Sequence, residues 1–151
     1  MIYETTNAKA LHEIMIAAFE ETRSYPIASS ALDETVNTIE IELSQGAKGF
    51  IVERKGKPVA GVRVKLEDDA IYFYRLSVLP SERGKGHAKK LLQHIEKYAQ
   101  AFGHKISRCK VRVEVERNID LYNKYGYAIK ESSIVSRGGV KIPTVTMEKE
   151  L

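Results

Sequence analysis

The segment that most constrains the fold is a glycine-rich turn between an apolar strand pattern and an amphipathic helix pattern. The turn consists of Arg83, Gly84, Lys85, Gly86, His87 and Ala88, and it follows an apolar, aromatic run that ends at Pro80. Apolar residues then recur at helical spacing as far as Phe102. Glycines let the backbone approach an anion, and the free N–H groups and dipole of the first helical turn attract that anion. This turn, called the glycine loop below, therefore predicts a phosphate-binding site.

The composition is that of one globular domain spanning residues 1–151. Hydrophobic residues make up 43% and charged residues 29% of the chain, and this length suffices for a sizeable core. No apolar run approaches the length of a membrane span, and no signal-peptide pattern is visible. The single cysteine, Cys109, excludes an internal disulfide. We therefore expect a cytoplasmic protein without a membrane partner.

The charge is mildly basic, with a formal net value of +4. The positive residues are spread along the chain, with local density at Arg83, Lys85, Lys89 and Lys90. A cluster beside a phosphate loop suits a polyanionic small ligand, although a solvated helix surface is the alternative. We expect no nucleic-acid partner, because a dedicated nucleic-acid binder carries a stronger basic footprint.

The first half of the chain predicts a short strand over residues 2–5, two helices and an antiparallel meander. Thr6 or Asn7 is placed to cap the first helix. Ser29 and Ser30 are placed to cap the second, which Gly46 ends. Its inward-facing residues would be Leu32, Val36, Ile39 and Leu43. Three strands over 50–52, 59–66 and 70–78 follow, with Val62, Val64 and Leu66 on one face and Arg63 and Lys65 on the other.

The second half predicts the glycine-loop helix, a strand over 106–115, a short helix over 117–125 and a final hairpin. In the strand, Val111, Val113 and Val115 alternate with polar residues. The hairpin strands, 127–134 and 144–149, would join across Gly138 and Gly139. The connecting helix allows a parallel crossover. The fold class is therefore α/β, with a mixed, mostly antiparallel sheet of about seven strands flanked by about four helices.

The order of elements and three local motifs resemble the GCN5-related N-acetyltransferase (GNAT) superfamily of acyl-CoA-dependent acyltransferases. The first motif is the glycine loop, which is similar to the family's Arg/Gln-x-x-Gly-x-Gly/Ala. The second is Leu76, Ser77, Val78, Leu79 and Pro80 just before the loop. The third is Leu121, Tyr122, Asn123, Lys124, Tyr125, Gly126 and Tyr127, which is similar to Leu-Tyr-x-Lys-x-Gly-Phe. The likeness is strong over residues 70–128 and weak in the first two helices.

The resemblance implies a role for each matched position. Backbone groups of Leu76, Ser77 and Val78 would pair with the pantetheine arm, and the acyl group would sit where this strand splays from its neighbour. The backbone of residues 83–88 would take the pyrophosphate. Tyr122 would protonate the departing thiolate as general acid, and N–H groups near Val78 would stabilise the oxyanion. Acetyl-CoA would be the acyl donor, with direct transfer to a primary amine.

Three positions carry competing interpretations. The commonest family pattern has an asparagine seven residues before the tyrosine, where this chain has Val115. Asn118 lies four before it and would either contact the cofactor or cap a helix. His87 stands where the family usually has an aliphatic residue, and packing at the first helical turn is favoured over a role as base. Tyr125 would pack or lie near the adenine end.

The general base is the least determined part of the site. Some family members carry a glutamate on the strand before the loop, but this chain has Tyr72, Phe73, Tyr74 and Arg75 there. Glu114 and Glu116 are the candidates, with a surface position or a water-mediated path as alternatives. The missing carboxylate also leaves open a non-catalytic acyl-CoA sensor on the same fold.

The acceptor side is predicted from the same strand. Tyr72, Tyr74 and Arg75 would line the acceptor pocket, where Arg75 would favour an acceptor with a carboxylate or phosphate. The acceptor is a small-molecule or peptide amine, and a homodimer is expected only by analogy with the family. The four histidines do not fall at metal-ligand spacing, so no metal is expected. The alternation of tyrosines and Arg75 is also the one hint of a basic nucleic-acid-binding module, which we rank low.

Overall fold

One seven-stranded sheet extends across the whole protein and carries four α-helices. The computed structural model describes all 151 residues. The strands are β1 (Ile2–Thr5), β2 (Lys48–Arg54), β3 (Lys57–Leu66), β4 (Ala70–Val78), β5 (Ile106–Arg112), β6 (Ala128–Arg137) and β7 (Val140–Glu150). The helices are α1 (Ala8–Phe19), α2 (Val36–Ser44), α3 (His87–Ala101) and α4 (Glu116–Lys124). The predicted fold class is confirmed.

The strand order is β1-β2-β3-β4-β5-β7-β6, and every pairing is antiparallel except that of β4 with β5. Helix α3 makes the crossover between those two parallel strands. Their pairing is short: it runs from Ala70 opposite Ile106 to Tyr72 opposite Arg108. Beyond Tyr72 the two strands are unpaired, so the sheet is split along its middle.

A β-bulge lies in β4 beside this split. Tyr74 pairs with Arg63 of β3 and Ser77 pairs with Gly61, so β4 contains one extra residue between these pairs. Arg75, inside the bulge, has a φ of 55°, in the left-handed region. For a non-glycine residue that backbone costs on the order of 1–3 kcal/mol, and it persists only where neighbouring contacts hold it. The bulge bends β4 at the point where it departs from β5.

Both faces of the central strands are covered. Helix α3 packs on one face with a core that includes Leu91, Leu92 and Ile95, while α1 and α2 pack on the other around Met15 and Ile39. Arg63 lies on the face of β3 opposite Val62 and Val64, as the alternation predicted, and it is buried there because α1 and α2 cover that face. No helix combines the length and the apolar character that crossing a bilayer requires.

The second predicted helix is interrupted. Ser29 does act as a cap, since its hydroxyl accepts from Ala31 N at 3.1 Å, but it caps only a 3-10 helix over Ser30–Asp33. Glu34 is extended, and Thr35 then starts α2 through a capping box with Thr38. Two separate caps therefore divide what reads as one helix. The break places the Glu34 side chain at the sheet.

Two other predicted boundaries shift. Strand β5 ends at Arg112 instead of residue 115, because the chain turns there: Val115 N donates back to Arg112 O. Val113 is therefore exposed and does not continue the apolar face. The first helix begins as predicted, with Asn7 Oδ1 accepting from Ala10 N at 3.0 Å. The final hairpin closes across Gly138 and Gly139 with longer strands than predicted.

Candidate active site

Two cavities meet where β4 and β5 separate. The loop cavity, of about 510 Å³, is lined by the glycine loop, the end of β4 and one side of α4. The sheet cavity, of about 410 Å³, is lined by β4, β5, Glu34, Glu42 and the end of the β6–β7 hairpin. Four residues line both: Phe19, Leu76, Val115 and Asn118. A molecule in one cavity can therefore touch a molecule in the other at the split.

The backbone of the glycine loop is prepared for an anion. Gly84 and Gly86 have φ angles of 78° and 83°, and Gly86 is the N-cap of α3 with no side chain to cap it. The backbone N–H groups of residues 84–89 make no hydrogen bond within the protein. Most of these residues line the loop cavity. Free N–H groups at the start of a helix form an anion site without further help from side chains.

Arg83 holds the loop to the N-terminal region. Its Nη1 donates to Glu21 Oε2 at 3.1 Å, and its Nη2 donates to Ala18 O at 3.3 Å. Arg117 of α4 also pairs with Glu21, so this carboxylate bridges two arginines at the edge of the loop cavity. The contacts of Arg83 are those of a residue that orders the loop.

Glu82 anchors the loop from its other side. Its carboxylate accepts from Arg54 Nε at 2.9 Å and from Lys85 Nζ at 3.3 Å, and it lies 3.0 Å from His87 Nε2. Arg54, followed by His87, lowers the pKa of Glu82 to about 2. His87 is buried in the first turn of α3, which agrees with the predicted packing role. Its Nδ1 has no hydrogen-bond partner.

The end of β4 offers a free strand edge at the split. Leu76 lines both cavities and Val78 lines the loop cavity. Ser77 is buried, and its hydroxyl donates to Arg75 O at 2.9 Å, so only its backbone is available to a ligand. Because β5 does not pair with this stretch, the edge facing the split can hold an extended chain by main-chain hydrogen bonds.

Helix α4 presents Asn118 and Tyr125 to the loop cavity. Val115 is the N-cap of α4, so the alternative that Asn118 caps this helix is wrong; Asn118 lies inside the first turn and lines both cavities. Tyr125 lines the loop cavity, with Lys124 Nζ 5.7 Å from its ring centroid. Tyr127 is instead buried in the core, where its hydroxyl lies 2.6 Å from Ser107 Oγ.

Tyr122 points from α4 into the sheet cavity. Its ring packs edge-on against Phe73 at 5.5 Å between centroids, and the residue is only 6% exposed. The hydroxyl has no hydrogen-bond partner in the protein, whereas the hydroxyl of Tyr127 has two. Burial, with a smaller contribution from Cys109, raises the pKa of Tyr122 above its usual value. Tyr122 is therefore a protonated phenol at neutral pH.

A buried ion-pair cluster forms the helical wall of the sheet cavity. Arg63, 2% exposed, lies 2.7 Å from Glu42 Oε1 through Nη1 and 2.8 Å from Glu34 Oε1 through Nη2. Tyr74 OH donates to Glu42 Oε1 at 2.7 Å, and Arg75 Nε donates to Glu34 Oε2 at 2.6 Å. Burial, followed by the bond to Glu42, raises the pKa of Tyr74.

The cluster explains how the strained bulge is held. Arg75 is fixed by Glu34 and by Ser30, whose hydroxyl accepts from Nη2 at 3.0 Å. Sequence reasoning missed Glu34, Glu42 and Arg63. The two glutamates come from a stretch without a recognisable motif, and Arg63 reads as the polar side of a strand. One sequence feature could have indicated that Arg63 is buried: it lies between two valines in a strand that was predicted to have a neighbour on each side.

The structure brings Tyr72, Tyr74 and Arg75 together in the sheet cavity. The two tyrosine rings stack at 5.9 Å between centroids, and burial raises the pKa of Tyr72. Cys109 also lies here, buried, and burial raises the pKa of its thiol to about 12. It therefore packs as a small apolar residue.

The two carboxylates predicted as general bases lie elsewhere. Glu114 pairs with Arg112 after the end of β5, and Glu116 is the first residue of α4. Neither lines the loop cavity or the sheet cavity. Their catalytic role stays a prediction, and the fold supplies no contact that supports it.

The family model of the acetyltransferase (GNAT) family matches residues 8–127. A comparison with curated proteins finds no match. Among solved structures, a GCN5-related N-acetyltransferase from Rhodopseudomonas palustris is 24% identical with a TM-score of 0.79, over 100% of this chain and 95% of that one.

Two further solved structures are similar in fold. The ribosomal-protein-S18-alanine N-acetyltransferase from Escherichia coli is 16% identical with a TM-score of 0.78, over 99% of this chain and 94% of that one. A GNAT family acetyltransferase from Elizabethkingia anophelis with acetyl-CoA bound is 13% identical with a TM-score of 0.75, over 100% and 97%. The family model covers most of the chain, and the glycine loop and the tyrosine motif of this chain meet at one split in the sheet. This protein therefore belongs to the GNAT acetyltransferase family and is an acyltransferase.

Proposed function

We propose that the protein is an acetyl-CoA-dependent N-acetyltransferase that moves the acetyl group directly to a primary amine in a ternary complex. The observation that carries this proposal is the meeting of two cavities at the β4–β5 split. A donor in one cavity and an acceptor in the other would place the reacting atoms together. Such positioning supplies a large part of the rate of a two-substrate reaction.

The loop cavity suits acetyl-CoA. The unpaired N–H groups of residues 84–89 would bind the pyrophosphate, and the free edge of β4 from Leu76 to Val78 would pair with the pantetheine arm. Asn118 and Tyr125 line the rest of this cavity, where they would contact the donor. The similar fold from Elizabethkingia anophelis holds acetyl-CoA, which supports this donor.

Tyr122 is the proposed general acid. The amine nitrogen attacks the thioester carbonyl, and a tetrahedral intermediate forms whose oxyanion would be stabilised by backbone N–H groups near Val78. The C–S bond then breaks, and Tyr122 donates its proton to the departing thiolate. A raised pKa keeps Tyr122 protonated until that step. The products are the amide and the free thiol of CoA.

Glu42 is the carboxylate best placed to take the proton from the amine. Arg63 and Tyr74 both donate to its Oε1, while its Oε2 accepts no hydrogen bond from the protein. Glu34, by contrast, has an arginine on each oxygen. Because Glu42 lines the sheet cavity, Oε2 would accept the proton directly or through one water molecule. Glu42 would supply the carboxylate whose absence from β4 left a non-catalytic sensor open as an alternative.

The first experiment is the release of CoA thiol from acetyl-CoA with a broad panel of primary amines. The binding of acetyl-CoA is followed in the same samples by calorimetry. We expect tight binding of acetyl-CoA and turnover with at least one class of amine. If acetyl-CoA does not bind, both the loop assignment and the proposed reaction fail.

A further inference from the structure

We infer that the acceptor is a small amine that also carries an anionic group, a carboxylate or a phosphate, and that Lys110, Arg112 and Arg137 hold this group. The inference rests on the proposed function and names the substrate class of its acceptor cavity. It follows from how the charges of the sheet cavity are distributed, and from which of them already have partners.

Positive charge dominates the sheet cavity. The cationic side chains that line it are Lys65, Arg75, Lys110, Arg112 and Arg137, and the carboxylates are Glu34 and Glu42. Both carboxylates are already bound by the buried Arg63, and Glu34 also binds Arg75. The helical wall is therefore neutralised by its own ion pairs, while the cations on β5 and β6 face no carboxylate inside the cavity.

Two of these cations have unused binding capacity. Lys110 makes no ion pair and no side-chain hydrogen bond. Arg112 uses only Nη2, which donates to Ile27 O at 2.7 Å and pairs with Glu114, while Nε and Nη1 are buried without a partner. A buried donor without an acceptor is costly. Nε and Nη1 lie on different edges of the guanidinium, so an anionic oxygen that reaches either edge can satisfy one of these buried N–H groups.

Arg137 completes the group from the hairpin. Its Nη1 donates to Ala28 O at 3.3 Å, and its Nη2 is 3.8 Å from a carboxylate oxygen of Asp33. That carboxylate is 82% exposed, so the pair neutralises Arg137 weakly. Arg75, expected to bind the acceptor's anion, is instead fixed by Glu34 and the bulge. The anion of the acceptor is therefore assigned to the cations on β5 and β6, Lys110, Arg112 and Arg137, and not to Arg75.

The size of the cavity sets the scale of the acceptor. A volume of about 410 Å³ lies in the range of small-molecule sites. A diamine would place its second ammonium among these cations, which costs energy at close range in a partly enclosed site. The structure therefore favours amino acids and amino phosphates over polyamines.

The test uses three primary amines with the same five-carbon chain: 5-aminopentanoate, pentylamine and 1,5-diaminopentane. Their far ends are anionic, neutral and cationic. We expect kcat/KM for 5-aminopentanoate to exceed that for pentylamine about tenfold, with the diamine lowest. O-phosphoethanolamine against ethanolamine then distinguishes phosphate from carboxylate. Binding of all five compounds is also measured by calorimetry, with and without CoA, so the comparison does not depend on turnover.

Matched variants locate the anion site. Lys110→Gln and Arg137→Gln should reduce the preference for the anionic amine several-fold while leaving the affinity for acetyl-CoA unchanged. Lys65→Gln is the control, because Lys65 lines the same cavity but lies over the Tyr74 ring, 5.2 Å from its centroid. Equal affinity for the three chains, preference for the diamine, or no binding of either anionic amine overturns the inference. Failure of acetyl-CoA to bind overturns the proposed function instead.

Discussion

The loop cavity and the sheet cavity are built in opposite ways. The loop cavity takes its main binding groups from consecutive residues, and those groups are backbone N–H donors between Gly84 and Lys89. The sheet cavity takes side chains from α1, α2, α4, strands β3 to β7 and the segment before α2. One cavity depends on the conformation of a short loop, and the other depends on tertiary packing that brings distant charges together.

This difference separates the cavity proposed for the donor from the cavity proposed for the acceptor. Backbone donors bind an anion whatever side chains surround them, provided that glycines allow the conformation. Side-chain walls change with each substitution. We therefore propose that the sheet cavity selects the acceptor. Its helical wall depends on the buried Arg63, which pairs with both Glu34 and Glu42. Three changes test this comparison.

The largest effect is expected for Tyr122→Phe. The ring and its contact with Phe73 are kept, but the only proton donor proposed for the thiolate is lost, so kcat should fall about a thousandfold. Acetyl-CoA affinity should not change. An ordinary tyrosine ionises near pH 10, but the pKa of Tyr122 is raised. In the wild type, kcat should therefore not fall through ionisation of Tyr122 as the pH rises to about 10.

Tyr127→Phe is the matched control for Tyr122→Phe. It removes a hydroxyl bonded to Ser107 and Glu96 in the core, so it should lower stability and leave kcat nearly unchanged. Wild-type turnover by Tyr122→Phe across the pH range would refute the general-acid role.

A second change, Arg63→Met, alters the sheet cavity and leaves the loop cavity intact. It leaves Glu34 and Glu42 without their shared buried partner, and we expect a loss of about 3 kcal/mol in the free energy of unfolding, measured by urea denaturation. The KM for the acceptor should rise, while acetyl-CoA affinity should stay close to that of the wild type. Lys65→Met, two residues along the same strand and without an ion pair, should change stability little. Equal losses in both variants would show that the cluster is not what stabilises this wall.

The third change, Gly86→Val, alters the loop cavity and leaves the sheet cavity intact. Gly86 has a φ of 83°, a backbone that costs a β-branched residue about 1–2 kcal/mol, so the loop should shift and acetyl-CoA affinity should fall about tenfold or more. Gly56→Val is the control, because Gly56 has a φ of 76° in the β2–β3 turn and also has open space around it. Both variants should lose similar stability in thermal unfolding. If both keep wild-type affinity for acetyl-CoA, the loop is not the phosphate site.

The secondary structure was largely predictable where local signals are strong. The stripe of α3, the Asn7 cap and the Gly138–Gly139 turn each depend on neighbours in sequence, and each is present. The second helix was not predictable, because Ser29 and Thr35 both offer cap signals and only packing decides that both are used. The end of β5 was not predictable either, because the apolar alternation continues to Val115 while the chain already turns, with Val115 N donating to Arg112 O.

The residues of the candidate site also fall into two groups, those marked by a local sequence motif and those brought together only by packing. The glycine loop, the free end of β4 and Tyr122 were found in the sequence because they are contiguous motifs, and the structure places them around one split. Glu34, Glu42 and Arg63 were not found, because nothing local marks a glutamate that will face a buried arginine from another element. The carboxylates proposed in their place, Glu114 and Glu116, lie outside both cavities.

The sequence by itself determined the α/β class, the order of elements, the position of the glycine loop and the family, because each depends on neighbouring residues and on periodic apolar spacing. Tertiary structure decided which charges meet in the sheet cavity, where Arg75 and Arg63 are neutralised while Lys110 and Arg112 keep unused donors. The physical reason is that an ion pair depends on distance in space, and residues 34, 63, 75 and 112 become neighbours only when the helices and the split sheet have packed.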